Sequence, residues 1–191
     1  MIDIRVAEAT RCNGDWSLYV TFPYDQKIVD VIRTYPNRFW NKDKKEWEIP
    51  FTIHSGECGS VDNIREAIAL GAKRLGHGIA LKKSPELRQL CKEKGIGIEM
   101  CPTSNLQTKA VEDFNSYPLK QFLEEGLLVS VHTDNRTVSG TTMEQEEKLV
   151  KERLQISDEM WLQCTKNAIL TAFASDEIKE RLMEELLKVR L

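Results

Sequence analysis

From Phe51 onward short apolar runs alternate with helix-length amphipathic segments, and this alternation restricts the fold more than any other feature of the chain. The runs cover 51–54, a short stretch around Arg74-Leu75-Gly76, 96–100 and 127–131. Helices are expected near 60–71, 85–94, 118–125, 142–154, 158–172 and 176–189, with a long loop between the third run and the third helix. Ser60 is the N-cap of the first, Ile64, Ala67, Ile68 and Leu70 are its apolar face, and Gly71 ends it. Ser84-Pro85 opens the second and Gly95 closes it; Gly126 follows the third. Thr141 or Thr142, Ser157 with Asp158, and Ser175 with Asp176 cap the last three, and Ile178, Leu182, Leu186 and Val189 make the final helix amphipathic. Short buried strands separated by helices imply an α/β fold with a parallel sheet and right-handed crossovers.

Each apolar run ends on polar, turn-prone residues. The first gives His54-Ser55-Gly56-Glu57 and the second Gly76-His77-Gly78, preceded by Arg74. The third gives Cys101-Pro102-Thr103-Ser104-Asn105 and the fourth His132-Thr133-Asp134-Asn135. Parallel strands present their C-terminal ends on one face, so the clusters converge there. Imidazole binds metals and moves protons; a positioned Glu shuttles a proton. Any one strand-end His could simply satisfy a backbone carbonyl, but packing alone does not account for a polar cluster after every strand.

Residues 1–50 have a different texture. Trp16-Ser17-Leu18-Tyr19-Val20-Thr21-Phe22 alternates as a strand does, and Pro23-Tyr24-Asp25 turns into a helix with Ile28, Val29, Val31 and Ile32 on its apolar face. Tyr35-Pro36-Asn37 stops that helix. Arg38-Phe39-Trp40 and Glu46-Trp47-Glu48-Ile49-Pro50 then read as a β-hairpin around a polar loop, Asn41-Lys42-Asp43-Lys44-Lys45. This small α+β segment, with the Phe22-Pro23-Tyr24-Asp25 turn, the Ile32-Arg33 helix end and the Trp-bearing hairpin, resembles the HARP-like module of Snf2-type DNA-dependent ATPases. The resemblance implies contact with forked or single-stranded DNA, through Arg33, Arg38, Lys42, Lys44 and Lys45 on phosphates and Trp40 or Trp47 on a base. The competing reading, which is favoured, packs the tryptophans onto the helix and leaves the lysines in solvent. No GxxxxGK[ST] motif follows.

The bulk properties narrow the class. The chain has 191 residues, a formal net charge of -3 and 30% charged residues, so no global basic field favours nucleic acid. No apolar run approaches the roughly 20 residues of a membrane span, and the N-terminus lacks the apolar core of a signal peptide. The five cysteines are scattered without a CxxC pair, so reduced thiols and a cytoplasmic location are expected. Cys58, Cys91 and Cys164 are assigned to packing.

The motifs His-x-Gly-Glu, Arg-x-Gly-His-Gly, Cys-Pro-x-Ser-Asn and Thr-Asp-Asn, in this order over 51–191, resemble the adenosine deaminase family. The resemblance implies a partial (β/α)8 barrel of about four βα units plus C-terminal helices, joined at Pro50/Phe51 to the 1–50 segment. It implies one catalytic zinc held by His54 and Asp134, with Glu57 protonating the purine ring. His77 would orient or deprotonate the zinc-bound water, and Asn135 would face the purine edge. His132, beyond the strand end, could add an imidazole near the metal. The substrate would be adenosine or a related 6-aminopurine, released as inosine and ammonia.

The family's His-x-His ligands are absent, because the only histidines are 54, 77 and 132. A full barrel takes about 250 residues. Weak zinc binding, impaired turnover, and a homo-oligomer or complementing half barrel as partner are therefore expected, and the abrupt junction suggests a fusion or truncation. The alternative function is a DNA-binding module on a catalytically dead half barrel.

Overall fold

The computed structural model describes residues 3–8, 16–34, 38–42 and 45–188. Strand β1 (Asp3–Glu8) pairs antiparallel with β2 (Trp16–Thr21). Helix α1 (Gln26–Thr34) buries Val29 and Ile32, and β3 (Phe39–Asn41) forms a hairpin with β4 (Glu46–Ile49). The sheet order is β1-β2-β4-β3. The indoles of Trp40 and Trp47 are cross-strand partners whose ring centroids lie 5.1 Å apart, an arrangement that stabilises a two-stranded pair. Strand β1 is an addition to the sequence reading. The helix stop at Tyr35-Pro36-Asn37, the loop residues Asp43 and Lys44, Cys12 and Val189 lie outside the described residues.

The second unit begins with β5 (Thr52–Ser55), α2 (Val61–Ala69), β6 (Arg74–His77), a 3₁₀ segment Ile79–Lys83 and α3 (Pro85–Glu93). It continues with β7 (Gly97–Met100), α4 (Pro102–Gln107), a 3₁₀ turn Phe114–Ser116, α5 (Leu119–Glu124) and β8 (Leu128–Val131). Then come α6 (Arg136–Ser139), α7 (Met143–Leu154), α8 (Asp158–Thr171) and α9 (Asp176–Lys188). The caps act as expected: the hydroxyls of Ser60, Ser84, Thr142 and Ser157 accept from the backbone N–H groups of Asn63, Leu87, Gln145 and Met160. Two expectations are corrected. The loop after β7 contains α4, and Cys58, assigned to packing, is exposed.

Strands β5-β6-β7-β8 form one parallel sheet in chain order, as successive βα units of a barrel do. Registered residues share a face. Leu75, Ile98 and Val129 share the face covered by helices, and pack without exposure in one core with Ile64, Leu87, Leu119 and Phe122. Thr52, His54, Arg74, Glu99 and Ser130 share the opposite, polar face, where Arg74 and Glu99 pair at 2.5 Å. On the edge strand β8 the buried Asn167 of α8 donates to the carbonyls of Val129 at 2.9 Å and Leu127 at 3.5 Å. A helix side chain thus covers carbonyls that an edge strand would otherwise present. Among the described residues no helix is long and apolar enough to cross a membrane.

Candidate active site

The C-terminal ends of β5 and β6 bring three of the sequence candidates together. His54, one residue before the end of β5, stands opposite Gly76. A Cβ on Gly76 would lie 3.1 Å from the His54 ring, so glycine leaves the imidazole room beside the strand. After β5 the chain turns at Gly56, whose φ of +71° and N–H bond to Asn63 Oδ1 (3.0 Å) fix the approach to α2. A Cβ there would lie 2.4 Å from Ile64 Cδ1, so any other residue would have to displace Ile64 and adopt the left-handed backbone that glycine takes freely. Glu57 follows, and its Oε1 accepts from the Thr108 hydroxyl at 3.0 Å.

His77 closes β6 in the left-handed region, at φ +67°, a conformation uncommon for a residue with a side chain. Its Nε2 lies 3.1 Å from His54 Nδ1 and 3.4 Å from Glu57 Oε2. The two imidazole rings meet edge to face with centroids 4.8 Å apart. Donor atoms of His54, Glu57 and His77 all lie within 4.8 Å of one another, the one such metal-capable group among the described residues. The Nδ1 of His77 meets the Asn105 carboxamide nitrogen at 2.9 Å. Burial pushes the His77 pKa below its ordinary 6.5, the Glu57 carboxylate opposing and His54 reinforcing the shift; Asp134 and Glu99 also act to raise it. The direction of that shift favours the neutral imidazole.

Asp134, in the turn after β8, also has a positive φ, +55°. Its Oδ2 accepts from Ser104 Oγ at 2.7 Å; it lies outside the His54–Glu57–His77 group, though its charge reaches His77. Asn135 caps α6, its Oδ1 accepting from the Val138 N–H at 3.0 Å. His132 turns to Ser130, 2.7 Å from its hydroxyl. Burial lowers the His132 pKa, with Glu99 opposing and Arg74 reinforcing. Its imidazole is not part of the three-residue cluster.

The sequence reading gave Ser104 and Asn105 no role of their own. Both sit on α4, whose start is held from a distance: the buried Glu146 carboxylate of α7 accepts from the Thr103 N–H at 3.2 Å and from Thr141 Oγ1 at 2.7 Å. Pro102 at the first helical position was the available local signal for this helix. Two cavities open off Glu57. One, of about 550 Å³, is lined by His54, Glu57, Asn63 and Glu66; the other, of about 780 Å³, by Glu57, Ile79, Lys83, Thr108 and Val111. Either is of a size that takes a small organic ligand.

The family model for adenosine deaminase matches residues 30–189, starting inside α1 and upstream of Pro50. An adenosine deaminase of Enterococcus faecalis (strain ATCC 700802 / V583) is 49% identical over 138 residues, covering 72% of this chain and 41% of that protein. One of Shewanella halifaxensis (strain HAW-EB4) is 45% identical over 134 residues, covering 70% and 40%. Among solved structures, adenine deaminase from Arthrobacter aurescens superimposes with a TM-score of 0.71 at 28% identity, over 75% of this chain and 44% of that one. An amidohydrolase from Burkholderia ambifaria, solved with bound Zn, shares the fold at a TM-score of 0.63 and 23% identity, over 73% and 43%. The chain thus spans about two fifths of the length of the curated relatives it matches. A family match running from α1 through the last helix, with relatives nearly half identical over about 70% of the chain, places the chain in the adenosine deaminase family.

Proposed function

We propose that this chain carries the proton-handling part of a zinc-dependent aminohydrolase acting on adenosine or a related 6-aminopurine. The meeting of His54 Nδ1, His77 Nε2 and a Glu57 carboxylate oxygen within 4.8 Å at the strand ends supports this reading most directly. Two imidazoles and nearby carboxylates are the donor types zinc takes, so the residues present suit the metal. His54 would hold it through a ring nitrogen and Asp134 through a carboxylate oxygen. When bound, zinc supplies a water acidic enough to act as a nucleophile at neutral pH.

The chain's own residues then have separate tasks. Glu57 gives a proton to N1 of the purine, which removes electron density from C6 and opens it to water. The Thr108 hydroxyl on Oε1 and His77 near Oε2 fix the direction in which that carboxyl points. His77 orients the water. Asn135 has its carboxamide oxygen committed to Val138, so its amide N–H is the part that meets the base. Water adds at C6 and the exocyclic amine leaves as ammonia, so adenosine and water give inosine and ammonia.

A catalytic zinc has three protein ligands and an open position, and this chain lacks His-x-His. Zinc binding by the chain alone is therefore weak and turnover slow. A second polypeptide, either another copy or a barrel half bearing His-x-His, would complete the ring. The test measures zinc stoichiometry by equilibrium dialysis and adenosine loss by ultraviolet absorbance on one sample, with and without such a half. Weak zinc uptake with turnover restored by the added half is expected. No zinc uptake and no inosine in either mixture would refute the reading.

A further inference from the structure

The Asn105 carboxamide is held in one orientation. Its Oδ1 accepts from the Cys101 backbone N–H at 3.4 Å and from the Tyr117 hydroxyl at 3.0 Å. A backbone N–H can only donate, so the oxygen belongs on that side. The NH2 group therefore faces His77, 2.9 Å from Nδ1. An NH2 group cannot accept, so Nδ1 must be the unprotonated nitrogen of a neutral ring. The single ring proton is then on Nε2, which points at His54 Nδ1 and Glu57 Oε2. Asn105 is 0% exposed and His77 1%, so bulk water does not compete for either group.

We infer that Asn105 is a positioning residue that fixes His77 in the Nε2–H tautomer, so that His77 faces the candidate site as a hydrogen-bond donor. A ring locked this way cannot take a proton at Nε2, because that nitrogen already carries one. Orienting the attacking water fits this state; abstracting its proton at Nε2 would need the opposite tautomer, with the Asn105 oxygen turned to Nδ1–H and the NH2 group turned against the Cys101 N–H. The role toward water rests on the aminohydrolase reading, whereas the tautomer does not.

Ring-nitrogen NMR on isotopically labelled full-length chain, at a pH above neutrality, reads the tautomer directly. The chain has three histidines, and His132→Gln identifies one of the signals. The expected spectrum shows His77 protonated on Nε2 and bare on Nδ1. Asn105→Asp should reverse it, since a carboxylate at that place accepts from Nδ1–H. Tyr117→Phe should leave it unchanged, because the Cys101 N–H still holds the Asn105 oxygen. A wild-type His77 protonated on Nδ1, or an even mixture of tautomers, would overturn the inference. If Asn105→Asp fails to fold, the wild-type and Tyr117→Phe spectra decide alone. A failed adenosine assay beside an Nε2–H spectrum would sink the aminohydrolase reading and leave the positioning role standing.

Discussion

The Ser104 hydroxyl donates to Asp134 Oδ2 at 2.7 Å, tying helix α4 to the turn that follows β8. Ser104 is buried and Asp134 exposed, so the bond anchors a carboxylate that solvent would otherwise leave free to rotate. Ser104→Ala removes that anchor. Stability should fall by about 1 kcal/mol, the usual net worth of such a bond. Zinc affinity, read by competition with a coloured chelator, should fall about tenfold, as when a residue supporting a ligand is removed. Unchanged zinc affinity would take Asp134 out of the metal site.

Glu57→Gln keeps a carboxamide oxygen for the Thr108 hydroxyl to bond, so folding should be preserved. It removes the titratable proton. Adenosine turnover, in the presence of a completing barrel half, should drop by about 10²–10⁴-fold, the range assigned to a positioned acid or base. Retention of most of the activity would place the proton donor elsewhere.

Gly56→Ala puts a methyl group 2.4 Å from Ile64 Cδ1 at a backbone φ of +71°. Overpacking and left-handed strain add, for a loss of about 1–3 kcal/mol. A urea melt should show a lower midpoint with unchanged slope. Ile98→Ala, at an unexposed position in the middle of the same core, should cost about 2–5 kcal/mol from the cavity it leaves.

Arg88 of α3 donates to Glu125 Oε2 at 2.6 Å and to the carbonyls of Leu81 and Lys82 at 2.9 and 3.2 Å. The Arg88 hydrogen bond, partly offset by burial, holds the Glu125 carboxyl below its ordinary 4.5. A carboxyl depressed in the folded state adds stability above the unfolded pKa, and that stability is lost as pH falls through the folded value. The stability of the parent chain should therefore decline below pH 4.5 partly on account of Glu125. Arg88→Met should remove that part of the decline while lowering stability at neutral pH. Parallel pH–stability curves for the two chains would show that the pair carries no linkage.

Much of the second unit was legible from local chemistry. Ser60, Ser84 and Ser157 each announce a helix in sequence and each accepts the predicted backbone bond. Strand-end clustering named His54, Glu57 and His77, which meet. What escaped depends on contacts far apart in sequence. The stretch Cys101-Pro102-Thr103-Ser104-Asn105 reads as a turn until Glu146 of α7 accepts from the Thr103 N–H. The Tyr117 hydroxyl that shares the Asn105 oxygen with the Cys101 N–H is marked by no motif. The cap at Asn135 serves α6, a helix of four residues too short to show periodicity. Nor does any composition rule foresee His77 and Asp134 at positive φ, where glycine would be the default.

Those two backbone angles weigh differently against heat resistance. At +67° and +55°, residues 77 and 134 occupy conformations that glycine adopts without strain. At 77 the buried ring and its bond to Asn105 outweigh that strain, whereas at the exposed position 134 a library selected only for survival at high temperature should drift toward glycine, discarding a carboxylate as it does so. Variants that gain robustness there would be expected to take up less zinc, if Asp134 holds it as proposed.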